Sequence, residues 1–444
     1  MSDFRPWKVL DLRLNEPLPS LAGEPDVEGY WAVFWWHDTP LGHLAIPSFQ
    51  LPMTPASLAA RASRAVAPSV GRLLVGQGFE PPLPVPRRKQ HMHAPPRLAS
   101  VLELDPPLST LLRTARRAPS GRASIAVAVC TRERPAELAR CLASLSTLSP
   151  PPREIVVVDN APTSDATRTV TGDVPGVRYV REPRAGLAVA RNTAVGATTA
   201  DILAFTDDDV TVAPDWIAGL QVAFADPEVL AVTGLILPAE LETEAQYAFQ
   251  LAGERWGYRS VDFGPDFFAT MRARGVPVWR IGAGANMAFR RRAFDLVGHF
   301  DERLGAGASG CSEDSEMWYR VLAEGYRCRY EPSAVVLHHH RSDWDSLRAQ
   351  LHSYMRGHTV ALFVQFERYR HWGNLYRIAV GIPAYYGRRA LRQAVRGVLP
   401  QAVRRSKPAS LPLTPQVRGY LSGVWYYLWH QEAGADADLR SHAP

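Results

Sequence analysis

Asp201-Ile-Leu-Ala-Phe-Thr-Asp-Asp-Asp209 reads as a short apolar strand that runs into three adjacent carboxylates. Strand side chains alternate, which places Asp207 and Asp209 on one face and turns Asp208 away. Like charges at the end of a buried strand are costly unless a cation offsets them. Hard oxygen donors of this kind suit Mg²⁺ or Mn²⁺, which are commonly held by one or two carboxylates plus substrate phosphates. Taken alone, the triplet fits a solvated acidic turn equally well, because so short a motif recurs by chance.

The segments upstream repeat the same plan. Ile125 to Cys130 has the pattern of a buried strand and Pro135 to Leu148 that of a helix. Glu154 to Val158 is a second strand, ending at Asp159 and Asn160; Val177 to Val180 is a third, and Gly186 to Ala197 is the next helix. Strands separated by helices at this spacing predict an α/β fold with a mainly parallel, doubly wound sheet. Ligands of such sheets bind beyond the carboxyl ends of the strands, where Asp159 and Asp207 both fall. After the first strand, Thr131, Arg132, Glu133 and Arg134 offer polar groups to a nucleotide beside a helix N-terminus. Asp159 can accept from a ribose hydroxyl or a base imide. Arg184 and Arg191 can offset diphosphate charge, although a surface salt bridge is the simpler use of either.

Four segments in order carry a resemblance: Val127-Ala-Val-Cys-Thr-Arg-Glu-Arg-Pro, Glu154-Ile-Val-Val-Val-Asp-Asn, Gly186-Leu-Ala-Val-Ala-Arg-Asn and Ala204-Phe-Thr-Asp-Asp-Asp. Together they resemble the inverting family 2 glycosyltransferases, over roughly residues 124–345. The resemblance implies the GT-A fold, a nucleotide-sugar donor and a divalent metal, Mn²⁺ or Mg²⁺. By position, Asp159 would bind the nucleoside base and Arg191 would support the donor. Asp207 and Asp209 would be the outer aspartates of a DXD motif, with Asp208 between them at the donor. Asp207 would face the ribose or sugar, and Asp209 and Asp207 would serve the metal.

The second half is similar to the family in three further places. Gly310-Cys-Ser-Glu-Asp-Ser-Glu-Met-Trp-Tyr-Arg320 resembles its Glu-Asp segment, which maps the base onto Asp314 with Glu313 beside it. Acids there would also complement a helix N-terminus without any catalysis. Val335-Val-Leu-His-His-His340 ends in histidines, of which His338 would complete the metal shell and favour Mn²⁺. Trp279-Arg-Ile-Gly-Ala-Gly-Ala-Asn-Met-Ala-Phe-Arg290 resembles the segment beside donor sugar and acceptor, which assigns Trp279 and Asn286 to the acceptor side. The Gly-rich stretch from Phe300 to Gly310, with Gly307 inside it, is expected to close as a lid.

The remaining chain sets the context. Its 444 residues allow about two or three domains. A small N-terminal α+β unit is expected over residues 1–80, with strands at Gly29 to Trp36 and Leu41 to Ile46 and a helix from Met53 to Val70. A Pro-rich basic linker over 81–120 would lead to the GT-A domain at 121–345 and a helical, basic and aromatic C-terminal region at 346–444. Between Arg356 and His430 twelve Arg or Lys stand against the single acid Glu367. Such a segment is expected to dock peripherally on the inner membrane face, or else to be a solvated basic bundle; nucleic acid is not expected as a partner. Cys130, Cys141, Cys311 and Cys328 are too scattered for a disulfide framework or a zinc site. With no signal pattern at the N-terminus, a cytoplasmic location is expected.

The function expected from this reading is hexosyl or deoxyhexosyl transfer, with inversion, from a nucleotide sugar. The acceptor would be a glycan, a lipid-linked hydroxyl or a small hydroxyl compound, in cell-surface polysaccharide or glycolipid synthesis. A nucleotidyltransferase and a non-catalytic carbohydrate-binding protein are the alternatives. The first lacks the Gly-rich, Lys-containing triphosphate loop that it prefers.

Overall fold

A computed structural model describes residues 4–75, 98, 123–253, 257–398 and 411–441. Strands β1 (Trp7–Arg13), β2 (Gly29–Trp36) and β3 (Thr39–Pro47) form a small sheet in that order, with β1 parallel and β3 antiparallel to β2. Helix α1 (Pro55–Val75) packs on β3, and Thr54 Oγ1 caps its start by accepting from Ser57 N at 3.3 Å. The aromatic run of β2 is buried on both faces. Tyr30, Ala32 and Phe34 join Leu58, Ala62 and Val66 of α1, while Trp31 and Val33 belong to the core of the main sheet. Most of the segment expected as a linker lies outside the described residues. Leu98, the described exception, is buried with the N-terminal core.

The main sheet contains β4 (Ile125–Thr131), β5 (Glu154–Asn160), β6 (Val177–Glu182), β7 (Ile202–Asp207), β8 (Val210–Val212), β9 (Val229–Pro238), β10 (Val261–Phe263), β11 (Asn286–Arg290) and β12 (Arg327–His338). Its order is β10-β12-β9-β11-β7-β4-β5-β6, with β8 paired to β12. The block β7-β4-β5-β6 is parallel, as the alternating pattern predicts. Beyond it the sheet is mixed: β11 runs antiparallel to both β7 and β9, and β9 and β12 are parallel again.

Alternation along the strands fixes the register. Val127, Val129, Val157, Ile202 and Ala204 face α2 (Pro135–Leu145), which buries Leu138, Cys141, Leu142 and Leu145 on the same side. Ala126, Ala128, Val156, Val158, Leu203 and Phe205 face the other way, toward α3 (Leu187–Ala197) and its Ala188, Ala190 and Ala194. A fully buried Val, Leu or Ile contributes roughly 1.5–3 kcal/mol. A slip of one residue would invert every contact at once.

In the other half of the sheet, α4 (Trp216–Ala223) packs against β12 and shares the core of α2, while α5 (Glu313–Ala323) buries Met317, Trp318 and Val321 in the core of α3. The chain then leaves the sheet. Asp343 caps α6 (Trp344–Tyr369) by accepting from Ser346 N at 2.8 Å, and α7 (Ile382–Val398) and α8 (Leu413–Ser441) follow. α8 crosses α6 closely. A Cβ on Gly419 would meet His352 O at 2.2 Å and one on Gly423 would meet Arg356 O at 2.7 Å, so only glycine allows this approach. Farther along, Phe363 and Tyr427 stack with centroids 4.1 Å apart.

Candidate active site

The parallel register brings three strand ends to one level. Thr131 of β4 pairs with Asp159 of β5, and Cys130 of β4 pairs with Asp207 of β7. Asp159 is fully buried; one oxygen accepts from the Tyr179 hydroxyl at 2.9 Å. Its other oxygen has no hydrogen-bond partner among the described residues. Burial raises this carboxyl against the Tyr179 and Thr167 hydroxyls. A buried acceptor left open at a strand end suits an N–H donor from a base. Next to it, Asn160 accepts from Gly186 N at 2.9 Å and donates to Arg184 O at 2.7 Å, which fixes the start of α3.

The aspartate triplet departs from simple alternation. β7 ends at Asp207 and the chain turns through Asp208 and Asp209 before β8. Asp208 therefore does not point away from the site as expected: it is buried, accepting from Thr131 Oγ1 at 2.7 Å and from Arg134 Nη1 at 2.5 Å. Burial pushes its carboxyl up to about 6, opposed by Arg134 and Thr131. Arg134 also reaches Asp209 at 3.1 Å. Thr131 and Arg134, expected at the donor, are thus engaged in holding the acidic turn. Arg132 is exposed, and Glu133 accepts from Thr163 N at 2.6 Å, out on the loop after β5.

Asp209 lies 3.4 Å from His338 Nε2 and 3.6 Å from Arg341. Burial opposes its ionisation, but His338, Arg134 and Arg341 outweigh that and hold its carboxyl below the usual range. Burial lowers the His338 imidazole below its ordinary value, against the pull of the Asp209 carboxylate. His338 also contacts His340 Nδ1 at 3.0 Å. His339 reaches Glu240 at 3.1 Å and His340 Nε2 meets Gln250 at 2.9 Å, so both are occupied elsewhere. Asp207 stays apart from this pair and lies 3.4 Å from Arg191 Nη2.

Among the described residues no three His, Cys, Asp or Glu side chains converge to hold an ion. Asp209 and His338 are the two donors that lie together and could hold an ion. Charge supports a cation here. Asp207, Asp208, Asp209, Glu313 and Asp314 share the site with the guanidiniums of Arg134, Arg191 and Arg341, a deficit of positive charge.

Arg191 ties the two halves of the site together. It is buried in α3, with its guanidinium bonded to Glu313 Oε1 as well as near Asp207. Burial pushes Glu313 up to about 7 against the pull of Arg191, while the nearby Asp314 adds to the rise. Asp314 follows in the first turn of α5, half-buried, accepting from Ser315 N at 2.5 Å. Ser312 before it has φ 76°, and no side chain caps the helix. A buried Glu316–Arg320 pair at 2.8 Å anchors α5, with Arg320 donating to the carbonyls of Gly298 and His299. The anchored helix thus carries Asp314 next to Glu313, which Arg191 ties to the end of β7 at Asp207.

The expected acceptor and lid residues divide. Trp279 is half-buried beneath Arg377, 3.8 Å from its ring centre, with His358 edge-on at 4.7 Å. Asn286 is not an acceptor residue in this arrangement. It is completely buried, donating to Leu235 O and Ala334 O at 3.0 and 2.8 Å and accepting from Trp216 Nε1 at 2.9 Å. It locks β9, β11, β12 and α4 together. The Gly-rich loop is tied down: Leu187 N donates to Ala306 O at 2.8 Å, Gly310 N to Gly305 O at 2.8 Å, and Arg356 to Ser309 O at 2.7 Å. Gly307, at φ 88°, lies against Gly186, where a Cβ would meet its Cα at 3.0 Å. The loop already sits on the start of α3.

Other residues at the site carry no local motif. Tyr354 of α6 lies close enough to Asp207 and Asp314 that, after desolvation, Cys311 and these charges push its phenol up. Gln350 donates to its hydroxyl at 2.8 Å. Gln350, Tyr354 and His358 follow one another at four-residue steps, the one signal that could have placed them on a common helix face. Arg341 stands directly after the histidines, and Tyr179 reaches Asp159 only through strand pairing.

Comparisons with known proteins identify a family. The model of Glycosyl transferase family 2 matches residues 125–298, ending before Asp314 and His338. The succinoglycan biosynthesis protein ExoM of Rhizobium meliloti is 32% identical over 230 residues, 49% of this chain and 67% of that protein. A pre-mycofactocin glycosyltransferase of Mycobacterium tuberculosis is 31% identical over 242 residues, 52% of this chain and 47% of its own length. The chain therefore spans two thirds of one relative and about half of the other. The solved structure of the mannosyltransferase PcManGT from Pyrobaculum calidifontis, in complex with GDP-Man and Mn²⁺, is similar at a TM-score of 0.46 and 20% identity, covering 73% of this chain and 96% of that one.

Proposed function

We propose, from the premise that this chain belongs to glycosyl transferase family 2, that it transfers a sugar from a nucleotide sugar to an acceptor hydroxyl with inversion. The observation that carries the reading is the chain of contacts Asp207–Arg191–Glu313, which holds the donor strand end and the Asp314 helix in one frame. Positioning of this kind lowers a barrier by removing the search for geometry.

In the proposed reaction, Asp159 takes the base and the start of α3 faces the diphosphate. Asp314 accepts the proton of the acceptor hydroxyl, whose oxygen bonds to the anomeric carbon from the face opposite the diphosphate. The bond from that carbon to the diphosphate oxygen breaks, and the nucleoside diphosphate departs with the electron pair. Asp209 and His338 would hold Mn²⁺ or Mg²⁺, which when bound supplies charge neutralisation to the leaving group. Asp207 stays on Arg191 and borders the sugar. Trp279 and Tyr354 flank the acceptor side.

The succinoglycan relative supports a polysaccharide or glycolipid product for this chain as well. We place the reaction in the cytoplasm, at the inner membrane face when the acceptor is lipid-linked. The test is a panel of nucleotide sugars with Mn²⁺, read by product. Nucleoside diphosphate release with an inverted anomer in the product supports the proposal; pyrophosphate release would establish nucleotidyl transfer instead, and a retained anomer would overturn the direct displacement.

A further inference from the structure

The helices beyond the sheet carry a surface that transfer chemistry does not use. Along α8 the exposed residues Arg418, Leu421, Trp425, Leu428 and Trp429 recur three and four apart, which places them on one face. Trp425 is 60% exposed and Trp429 57%, and their rings stack with centroids 5.6 Å apart. Gln416, Gly419 and Gly423, on the other side, are buried. On α7, Leu391 and Val395 are 66% and 58% exposed, beside exposed Arg388 and Arg392. Trp372, Tyr376 and Val380, just before α7, are exposed at four-residue steps. The two helices are joined where the Tyr386 hydroxyl meets Gln416 at 3.2 Å and Arg389 donates to Leu411 O at 2.6 Å.

Single exposed apolar side chains need no explanation. A stripe of them, repeated on adjoining helices, marks a contact surface. The charge around it selects the occupant. Among the described side chains of α7 and α8, Arg388, Arg389, Arg392 and Arg418 are basic and none is acidic. A second copy would set this basic face against itself. An anionic bilayer meets both requirements, with phosphates for the arginines and an interface where Trp and Leu are at home.

We propose that α7 and α8 dock the protein on an anionic membrane surface. Leu391, Val395, Leu421, Trp425 and Trp429 enter the boundary between headgroups and acyl chains, and Arg388, Arg392 and Arg418 meet the lipid phosphates. The helices lie on the surface: among the described residues no helix is long and apolar enough to cross a membrane. α6 connects this surface to the site. α8 crosses it at His352 and Arg356, and between them Tyr354 accepts from Gln350. The Tyr354 backbone carbonyl lies 3.3 Å from Cys311 Sγ, three residues before Asp314. A lipid-borne acceptor would then reach the base from the docked side, a step that rests on the proposed transfer; the docking does not.

The experiment is co-sedimentation of the full chain with phosphatidylcholine vesicles, with and without phosphatidylglycerol, at rising NaCl. Binding is expected to the anionic vesicles and to fall with salt. The pairs Trp425→Ala with Trp429→Ala, and Leu391→Glu with Val395→Glu, are each expected to lower the bound fraction roughly tenfold, with the thermal midpoint unchanged because all four positions face solvent. Arg388→Glu with Arg392→Glu should lower binding to anionic vesicles while leaving the apolar stripe intact. No preference for anionic vesicles, binding indifferent to all three pairs, or a dimer in light scattering that the tryptophan pair dissolves would overturn the proposal. The assay contains neither donor nor acceptor, so its outcome is separate from that of the transferase reading.

Discussion

Arg191 donates to Glu313 across 122 positions of sequence, and the bond joins the helix behind the donor strands to the helix that carries Asp314. Both partners are buried, so neither can turn to water if the other is lost. Breaking a buried pair from one side costs about 3–5 kcal/mol, because a charge is left behind. Arg191→Met is therefore expected to lower the denaturant midpoint sharply. The double variant Arg191→Met with Glu313→Gln should lose less than the sum of the two single changes. Urea unfolding of the four proteins measures it; simple additivity would mean that the two residues do not act as a pair.

Asp314→Asn keeps the size of the side chain and removes its basicity. Transfer is expected to fall about 10²–10⁴-fold, the usual worth of a general base, while donor binding by calorimetry stays within error. Full turnover in the variant would remove Asp314 from the reaction.

We read Asp209 and His338 as the side chains that would hold an ion, with Asp207 on Arg191 instead. Loss of either ligand is expected to weaken the Mn²⁺ dependence of activity roughly 10–100-fold. Asp207→Asn should leave the Mn²⁺ requirement unchanged and act on donor affinity. Chelation should abolish transfer, and added Mn²⁺ should restore it. An equal shift of metal dependence in all three variants would favour a shared site for the triplet.

Glu182 is held down to about 2, first by the Arg184 side chain, against burial, and also by Thr193 and the Arg184 backbone N–H. A depressed folded value means that the carboxylate stabilises the native state above its ordinary pKa near 4.5. That contribution is lost as pH falls from about 4.5 through about 2. Arg184 is largely exposed, so the effect is screened. Glu182→Gln should lower stability modestly at neutral pH and flatten the acid limb in that window, so that variant and parent converge as pH falls toward about 2, as thermal melts at a series of pH values would show.

The parallel half of the sheet was legible because Ile125, Ile155 and Ile202 each open a continuous apolar run, and the shorter Val177 to Val180 stretch falls between helix patterns. β11 was not, since Asn286–Arg290 is five residues long and enters antiparallel between β7 and β9. The same short strand explains the misplaced role of Asn286: its amide faces three partners far away in sequence. For the triplet, alternation was applied one residue too far, past the point where the chain turns after Asp207. Asp314 and His338 stand in motifs that a sequence reading can single out, whereas Tyr179 beside Asp159 and Arg341 beside Asp209 are placed by tertiary packing.

Trp7 stacks on Tyr247 at 4.7 Å, bonds through its backbone N–H to Leu241 O at 2.8 Å, and shares a core with Trp31 and Val33. The small leading sheet is consequently a wall of the larger one. Trimming the gene to start at Ser124 would strip that wall away and leave a bare oily flank beside Leu241. The shortest useful version of this enzyme should therefore retain its first strands, even though they hold none of its proposed chemistry.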